Sequence, residues 1–291
     1  MSYTKKAVHF GGGAIGRGFV AEFLHNSGYE VTFVDVDRKL VDNLNKIPSY
    51  VITEIGDDGE RQFTIDHYKA LHGIDDFATV VKAIAEADVV TCAVGPTILP
   101  RISKPVAEAI AVRELDYPLA VIACENAINA TDNWRGFIEG HVKAEYLKDG
   151  KIPSDSSKAR FANSAVDRIV PKQPEGFVLD VKIEKFYEWC VEEVPFENGG
   201  KKPEIKGVHF VKDLQPYIER KLFTVNTSHA TAAYYGYNAG IGLIHEVLAD
   251  KKIHDTIRAV VKETAHLISN KHKIDTKEQN DYVEAIIKAV Y

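Results

Sequence analysis

Sulfur is scarce in this chain. Beyond Met1 there is no methionine, and the three cysteines, Cys92, Cys124 and Cys190, lie far apart without a C-x-x-C. That spacing excludes a disulfide framework and a cysteine zinc knuckle, and leaves them as small core side chains in a reducing compartment. A basic excess is also missing: 36 lysines and arginines against 42 acids give a net charge of −6. The broad cationic footprint of a nucleic-acid binder is therefore not expected, although a small cationic pocket for an anionic substrate remains compatible. No apolar run nears the roughly 18 residues that cross a bilayer. Met1-Ser2-Tyr3-Thr4-Lys5-Lys6 leads straight into a strand-like segment with no signal-peptide core. The expectation is a soluble, cytoplasmic protein without membrane or nucleic-acid partners. The eleven histidines are scattered, with neither H-E-x-x-H nor Cys/His ligand spacing, so no metal site is expected. What is present is globular composition, 45% hydrophobic and 27% charged, over 291 residues, enough for two domains at about 150 residues each.

Hydrophobic period organises the first half. Lys6–Phe10 is an apolar run that ends in three glycines and reads as a buried parallel strand. From Ile15 to Asn26 the apolar residues fall at helical spacing, and Gly28 ends the helix. Glu30–Val34 is a second strand and Arg38–Lys46 a second helix, which completes a βαβ unit. Between Pro48 and His72 the pattern changes to a hairpin around Gly56-Asp57-Asp58-Gly59, inserted into the sheet domain. A helix over Val80–Ala87 and strands over Asp88–Val94 and Leu119–Cys124 restore the alternation. Val178–Ile183 and Glu188–Glu192 read as further strands, Gly199-Gly200-Lys201-Lys202-Pro203 as a boundary loop, and the chain beyond Asp213 as helical. The fold class is an α/β Rossmann-type doubly wound sheet domain (1–200) followed by a mostly α-helical domain (201–291).

Gly11-Gly12-Gly13-Ala14-Ile15-Gly16 satisfies G-x-G-x-x-G between a strand and a helix, the context that makes the pattern informative. Gly11 permits the turn, Gly13 lets a pyrophosphate approach, and Gly16 lets the helix pack closely. The first helical N–H groups then face the phosphates. Asp35 ends the second strand, where a carboxylate accepts both ribose hydroxyls and repels a 2′-phosphate, so NAD is favoured over NADP; Arg38 nearby softens that preference.

In the helical half, Tyr217-x-x-x-Lys221 with the glycine loop resembles the short-chain dehydrogenase pattern. Tyr217 nevertheless lies past the sheet, and Lys201–Gly207 upstream holds no serine. The segment Lys221-Leu222-Phe223-Thr224-Val225-Asn226-Thr227-Ser228-His229 carries more. On a regular α-helix His229 and Asn226 fall about 80° and 140° from Lys221. Such a trio is either a site or the solvated side of an ordinary helix. As a site, it offers a lysine whose pKa apolar neighbours lower into the range of a base, an amide donor for an alkoxide, and a histidine for substrate hydroxyls.

These segments are similar to the polyol-specific long-chain dehydrogenase family, in its fungal, phosphate-using branch. The matching stretches are His9–Phe19 (H-F-G-G-G-A-I-G-R-G-F), Cys92–Pro96, Ala123–Ala127 (A-C-E-N-A), Ser164–Pro171 (S-A-V-D-R-I-V-P) and Glu219–Thr227. The K-x4-N-x2-H element marks the wider family; I-G-R-G and V-D-R-I-V-P mark the phosphate-using branch. The resemblance implies NAD-linked, metal-independent interconversion of mannitol 1-phosphate and fructose 6-phosphate. It implies Lys221 as general base, Asn126 and Asn226 as the oxyanion-stabilising pair and His229 as a substrate contact. Gly11, Gly13, Ala14, Ile15, Gly16, Asp35 and Val94 would hold the cofactor.

Three departures stand out. Ala14 occupies a position where the family has Asn, and Ser228 one where it has Gly. The resemblance also implies an R-x-x-R-x-P-x-x-K-L-like stretch near the substrate past the position of Tyr291, so the expectation is a C-terminally truncated relative with an incomplete helical domain. The candidates for holding the substrate phosphate are then Arg168, Lys172 and Arg220, since arginine suits bidentate phosphate binding, although each reads more readily as a surface or structural ion pair. Two other functions follow from the same residues: an NAD-binding relative impaired in catalysis, and another lysine-dependent sugar or hydroxyacid dehydrogenase. Oligomeric state is not readable from the sequence.

Overall fold

The continuous apolar runs of the first half become strands buried on both faces. In the computed structural model, which describes residues 3–56 and 58–289, the strands are β1 (Lys5–Phe10), β2 (Tyr29–Asp35), β3 (Tyr50–Gly56), β4 (Gly59–Ile65), β5 (Tyr68–His72), β6 (Val89–Cys92), β7 (Leu119–Ala123) and β8 (Ala159–Phe161). They are followed by β9 (Ser164–Asp167), β10 (Val181–Glu184), β11 (Glu188–Glu192) and β12 (His209–Val211). Six of them form one sheet in the order β5-β2-β1-β6-β7-β8, all neighbours parallel. With the β3–β4 insertion set aside, this is the 3-2-1-4-5-6 order of a doubly wound dinucleotide fold, and the topological switch lies between β1 and β6.

Alternate residues of each strand feed two cores. Ala7, Val31, Phe33, Val89, Ala120 and Ile122 pack with Phe19, Phe23, Leu24 and Trp189. Val8, Phe10, Val34, Val90, Cys92 and Val121 pack with Val80, Ile84, Ile110 and Trp134 on the other face. The helices of this part are α1 (Ala21–Asn26), α2 (Arg38–Lys46), α3 (Phe77–Ala85), α4 (Leu99–Val112) and α5 (Ala130–Glu139). The three cysteines are buried and unbridged.

Three expectations are revised. The helix after the glycine loop is not uniformly α: Gly16–Val20 is a π-helical stretch that leads into α1. The Pro48–His72 insertion is shorter than its pattern implied. Only β3 and β4 belong to it, in a small sheet with β10, while Tyr68–His72 is the edge strand of the main sheet beside β2. The strand read at Val178–Ile183 starts at Val181: the Asp180 carboxylate accepts the Val51 N–H at 2.8 Å, and the β3 ladder begins only after it.

By contacts the chain divides into two units, Met1–Ile55 with Glu60–Leu214, and Gly56–Gly59 with Gln215–Tyr291. β12 pairs with β11 in a sheet with β9, so the residues up to Leu214 belong with the sheet unit, beyond the Gly199–Pro203 loop. The second unit contains α6 (Gln215–Lys221), α7 (Thr227–Ala239), α8 (Ile244–Ala249), α9 (Lys251–His272) and α10 (Thr276–Ala289). Its core gathers Ala232, Val247, Ile257, Val261, Ala265, Val283 and Ile287. Asp250 caps α9 by accepting the Lys252 and Ile253 N–H groups at 2.9 and 3.0 Å, a cap worth about 1 kcal/mol. The amphipathic pattern read over Thr276–Tyr291 buries Tyr282, Ile286 and Ile287; its last apolar position, Val290, lies outside the described residues. No described helix is long and apolar enough to cross a membrane.

Candidate active site

The glycine loop sits at the carboxyl end of β1, beside the switch point. Gly11 has φ +98°, and a Cβ there would stand 2.5 Å from the Ala93 carbonyl oxygen. At Gly16 a Cβ would lie 2.0 Å from the Gly11 carbonyl oxygen and 2.8 Å from His9 Nε2. At Gly13 a Cβ would meet nothing within 4 Å, so this residue faces open space. Two of the glycines are thus needed for packing, and the third leaves room for an approaching group.

Asp35 stands where the sequence placed it. Its Oδ2 accepts the Gly12 N–H at 2.7 Å, and its Oδ1 accepts the N–H groups of Val36 and Asp37 at 2.7 and 3.0 Å. Beneath the loop, His9 is fully buried, with Nδ1 2.7 Å from the Thr91 hydroxyl, so it ties β1 to β6. Burial pushes its pKa down to about 3, and the ring is neutral at physiological pH.

On the far side of the switch point, Val94 donates its N–H to Glu125 Oε1 at 2.7 Å, and Gly95, with φ +91°, donates to both Glu125 oxygens at 3.1 Å. Glu125 is buried, and burial raises its pKa. The next residue, Asn126, lies exposed in the loop after β7. Sequence reasoning missed His9 and Glu125 as supports of the loops. The only available signal was their place inside the H-F-G-G-G and C-E-N-A stretches.

In the second unit, Lys221, Asn226 and His229 lie on one helical run, all half-buried. The run is not a regular α-helix. Leu222–Asn226 is a π-helical turn between α6 and α7. Its hydrogen bonds close i→i+5, so the 140° that a regular wheel puts between Lys221 and Asn226 does not apply; the wider turn brings i and i+5 closer in azimuth. The Thr227 hydroxyl donates to the Leu222 carbonyl at 3.0 Å and so satisfies a group inside the turn. Thr224 and Val225 point into the core, whereas Phe223 is 38% exposed. Ser228 is buried and donates its hydroxyl to the Val225 carbonyl at 2.9 Å, so the departure from Gly is accommodated by the helix itself. Burial lowers the His229 pKa. The ring is therefore neutral near pH 7 and offers one donor and one acceptor. Tyr217 packs its ring against the Arg220 guanidinium, 5.1 Å from the ring centroid.

Of the three candidate phosphate cations, Arg168 is taken up by buried ion pairs. Its side chain is 1% exposed and bonds Glu22 at 2.5 Å, Glu54 at 2.6 Å and the Glu184 carbonyl at 2.9 Å, with the rings of Phe19, Phe23 and Tyr187 around it. A guanidinium enclosed in this way is structural. Arg220 is buried, pairs with Glu278 at 3.1 Å and lies against the Tyr282 ring. Lys172 is exposed.

Residues 5–207 match the mannitol dehydrogenase Rossmann domain, and residues 213–289 the mannitol dehydrogenase C-terminal domain. The chain is 67% identical over 290 residues to a mannitol-1-phosphate 5-dehydrogenase of Alternaria alternata, covering 100% of this chain and 73% of that one. It is 58% identical over 285 residues to the enzyme of the same name from Aureobasidium melanogenum, covering 98% and 72%. Among solved structures, mannitol 2-dehydrogenase of Pseudomonas fluorescens, in a ternary complex with NAD and D-mannitol, superposes with a TM-score of 0.78 at 20% identity, covering 98% of this chain and 68% of that one. A D-sorbitol dehydrogenase gives 0.76 at 18%, covering 98% and 69%. At such identity the structural likeness is one of fold, but both domains match in sequence as well: the chain belongs to the mannitol dehydrogenase family of oxidoreductases.

Proposed function

We propose that this protein is an NAD-dependent dehydrogenase that interconverts D-mannitol 1-phosphate and D-fructose 6-phosphate without a metal. The observation that carries the reading is the 67% identity, over 290 residues, to a relative named for that sugar phosphate.

The glycine loop supports the choice of cofactor. Gly13 opens onto space that any side chain would fill, the first turn of the following helix presents unbonded N–H groups, and Asp35 closes the second strand with a carboxylate. Gly11, Gly13, Ala14, Ile15 and Gly16 would hold the pyrophosphate, Asp35 the ribose, and Val94 the facing wall. When bound, NAD supplies a hydride acceptor at its nicotinamide ring.

The chain's own residues do the proton chemistry. Lys221 takes the hydroxyl proton at Nζ in the oxidative direction and returns it in the reductive one. The side-chain amides of Asn126 and Asn226 donate hydrogen bonds to the oxygen as it gains negative charge. His229, held neutral by burial, orients a neighbouring hydroxyl by giving one hydrogen bond and accepting another. The test is product identification: NADH and fructose 6-phosphate should be consumed one for one, with a hexitol phosphate formed. Protein that binds NADH yet forms no hexitol phosphate would refute the reaction.

A further inference from the structure

Arg17 is 7% exposed, yet among the described residues it forms no ion pair. Its Nε donates to the Leu179 carbonyl at 2.9 Å, and its Nη1 donates to the Gly12 carbonyl. Its own carbonyl accepts the Tyr50 hydroxyl at 2.8 Å. Burial lowers its pKa, but an arginine starts far above neutrality and keeps its charge. Asp35 and Asp180 act on the guanidinium through space, but its hydrogen bonds go to carbonyls, a costly arrangement for a desolvated charge.

The bond to Gly12 also fixes a peptide. In a planar trans peptide the C=O and the following N–H point in opposite directions. With the Gly12 oxygen drawn inward to Arg17, the Gly13 N–H is turned away from the guanidinium, and a Cβ built on Gly13 would meet nothing within 4 Å. The Gly12 N–H is held separately by Asp35. The loop is therefore set from two ends, by a carboxylate on one N–H and a guanidinium on the next carbonyl.

We propose that Arg17 is the positioning residue for the dinucleotide's pyrophosphate: it holds the Gly12–Gly13 peptide with its N–H turned away from the guanidinium and places a buried positive charge beneath the loop. This rests on the cofactor reading above and adds the residue that makes the loop selective for an anion.

The test compares ligands that differ in the diphosphate. Dissociation constants for NADH, ADP-ribose and adenosine are measured on the wild-type chain, Arg17→Met and Arg17→Lys, with thermal unfolding of each. Arg17→Met should weaken NADH and ADP-ribose by about tenfold or more, the worth of one lost charge-assisted interaction, and leave adenosine unchanged. Arg17→Lys keeps the charge but cannot hold both carbonyls, so it should fall between; it also serves if the methionine variant does not fold. Unchanged ADP-ribose affinity in either folded variant, or an equal loss for adenosine, would overturn the proposal. A wild-type chain that binds ADP-ribose but reduces no sugar phosphate would refute the reaction and leave the role of Arg17 standing. One that binds no dinucleotide would overturn both.

Discussion

Two glycines three residues apart in one loop should respond in opposite ways to the same substitution. At Gly16 the added methyl would lie 2.0 Å from the Gly11 carbonyl oxygen and 2.8 Å from His9 Nε2. Neither neighbour yields easily: the first is backbone, and the second is an imidazole tied to Thr91 at 2.7 Å. Overpacking of this kind costs about 1–3 kcal/mol, which for a chain of this size lowers the melting temperature by about 2–4 °C per kcal/mol. At Gly13 the methyl meets nothing within 4 Å. Gly13→Ala should keep or raise stability, by at most about 1 kcal/mol, because alanine restricts the unfolded chain. Its methyl would instead occupy the space reserved for the pyrophosphate. The assay is thermal unfolding of both variants beside NADH titration by fluorescence. Gly13→Ala should bind NADH at least about tenfold more weakly with an unshifted melting temperature, and Gly16→Ala should lose stability first. A Gly13→Ala protein with native NADH affinity would refute the reading of Gly13, and a Gly16→Ala protein with a native melting temperature would refute the packing argument.

Further outcomes can be checked independently. Lys221→Ala should lower turnover by about 10²–10⁴, the range of general acid–base catalysis, with NADH affinity near that of wild type; turnover within a few-fold of wild type would remove Lys221 as the base. Asp35→Ala should narrow the preference for NAD over NADP, measured as the ratio of kcat/KM values, and an unaltered ratio would count against its ribose role. Arg168→Met leaves Glu22 and Glu54 buried without their cation and should destabilise the fold by about 3–5 kcal/mol in denaturant titration; a loss below 1 kcal/mol would mean the enclosed ion pairs contribute little. Burial pushes the Glu184 carboxyl up to about 7, so the folded state holds a proton that the unfolded state has released. That contribution is fully present below the ordinary carboxylate range and is lost as pH rises to about 7. Glu184→Gln should flatten the decline in stability between pH 5 and 8, and an identical pH slope in the variant would contradict the assignment.

Much of this was legible because glycine and periodicity carry geometry. Gly11, Gly13 and Gly16 stand between a strand and a helix, and the structure gives each a different steric reason. The continuous apolar runs of β1, β6 and β7 announced strands buried on both faces. What was not legible lies in contacts made across the chain. Arg168 reads in the sequence as either a phosphate ligand or a structural ion pair, and only the meeting of α1, β3 and β10 around it decides for the ion pair. Glu125 and Arg17 stand inside the C-E-N-A and I-G-R-G stretches, but nothing in those stretches tells that their side chains grip the Val94 and Gly12 backbone groups. The π-helical turns at Gly16–Val20 and Leu222–Asn226 escape a wheel drawn at 100° per residue. Nothing in the apolar spacing distinguishes five residues closing i→i+5 from an ordinary turn.

The central claim is that the sugar's phosphate and NAD together define the reaction. It is tested most directly by the ratio of kcat/KM for fructose 6-phosphate to that for fructose, with NADH as the reductant. A ratio of about 10² or more, set by charge-assisted recognition of the phosphate, is the result predicted. Equal rates with the two ketoses, or reduction of neither by protein that binds NADH, would contradict it.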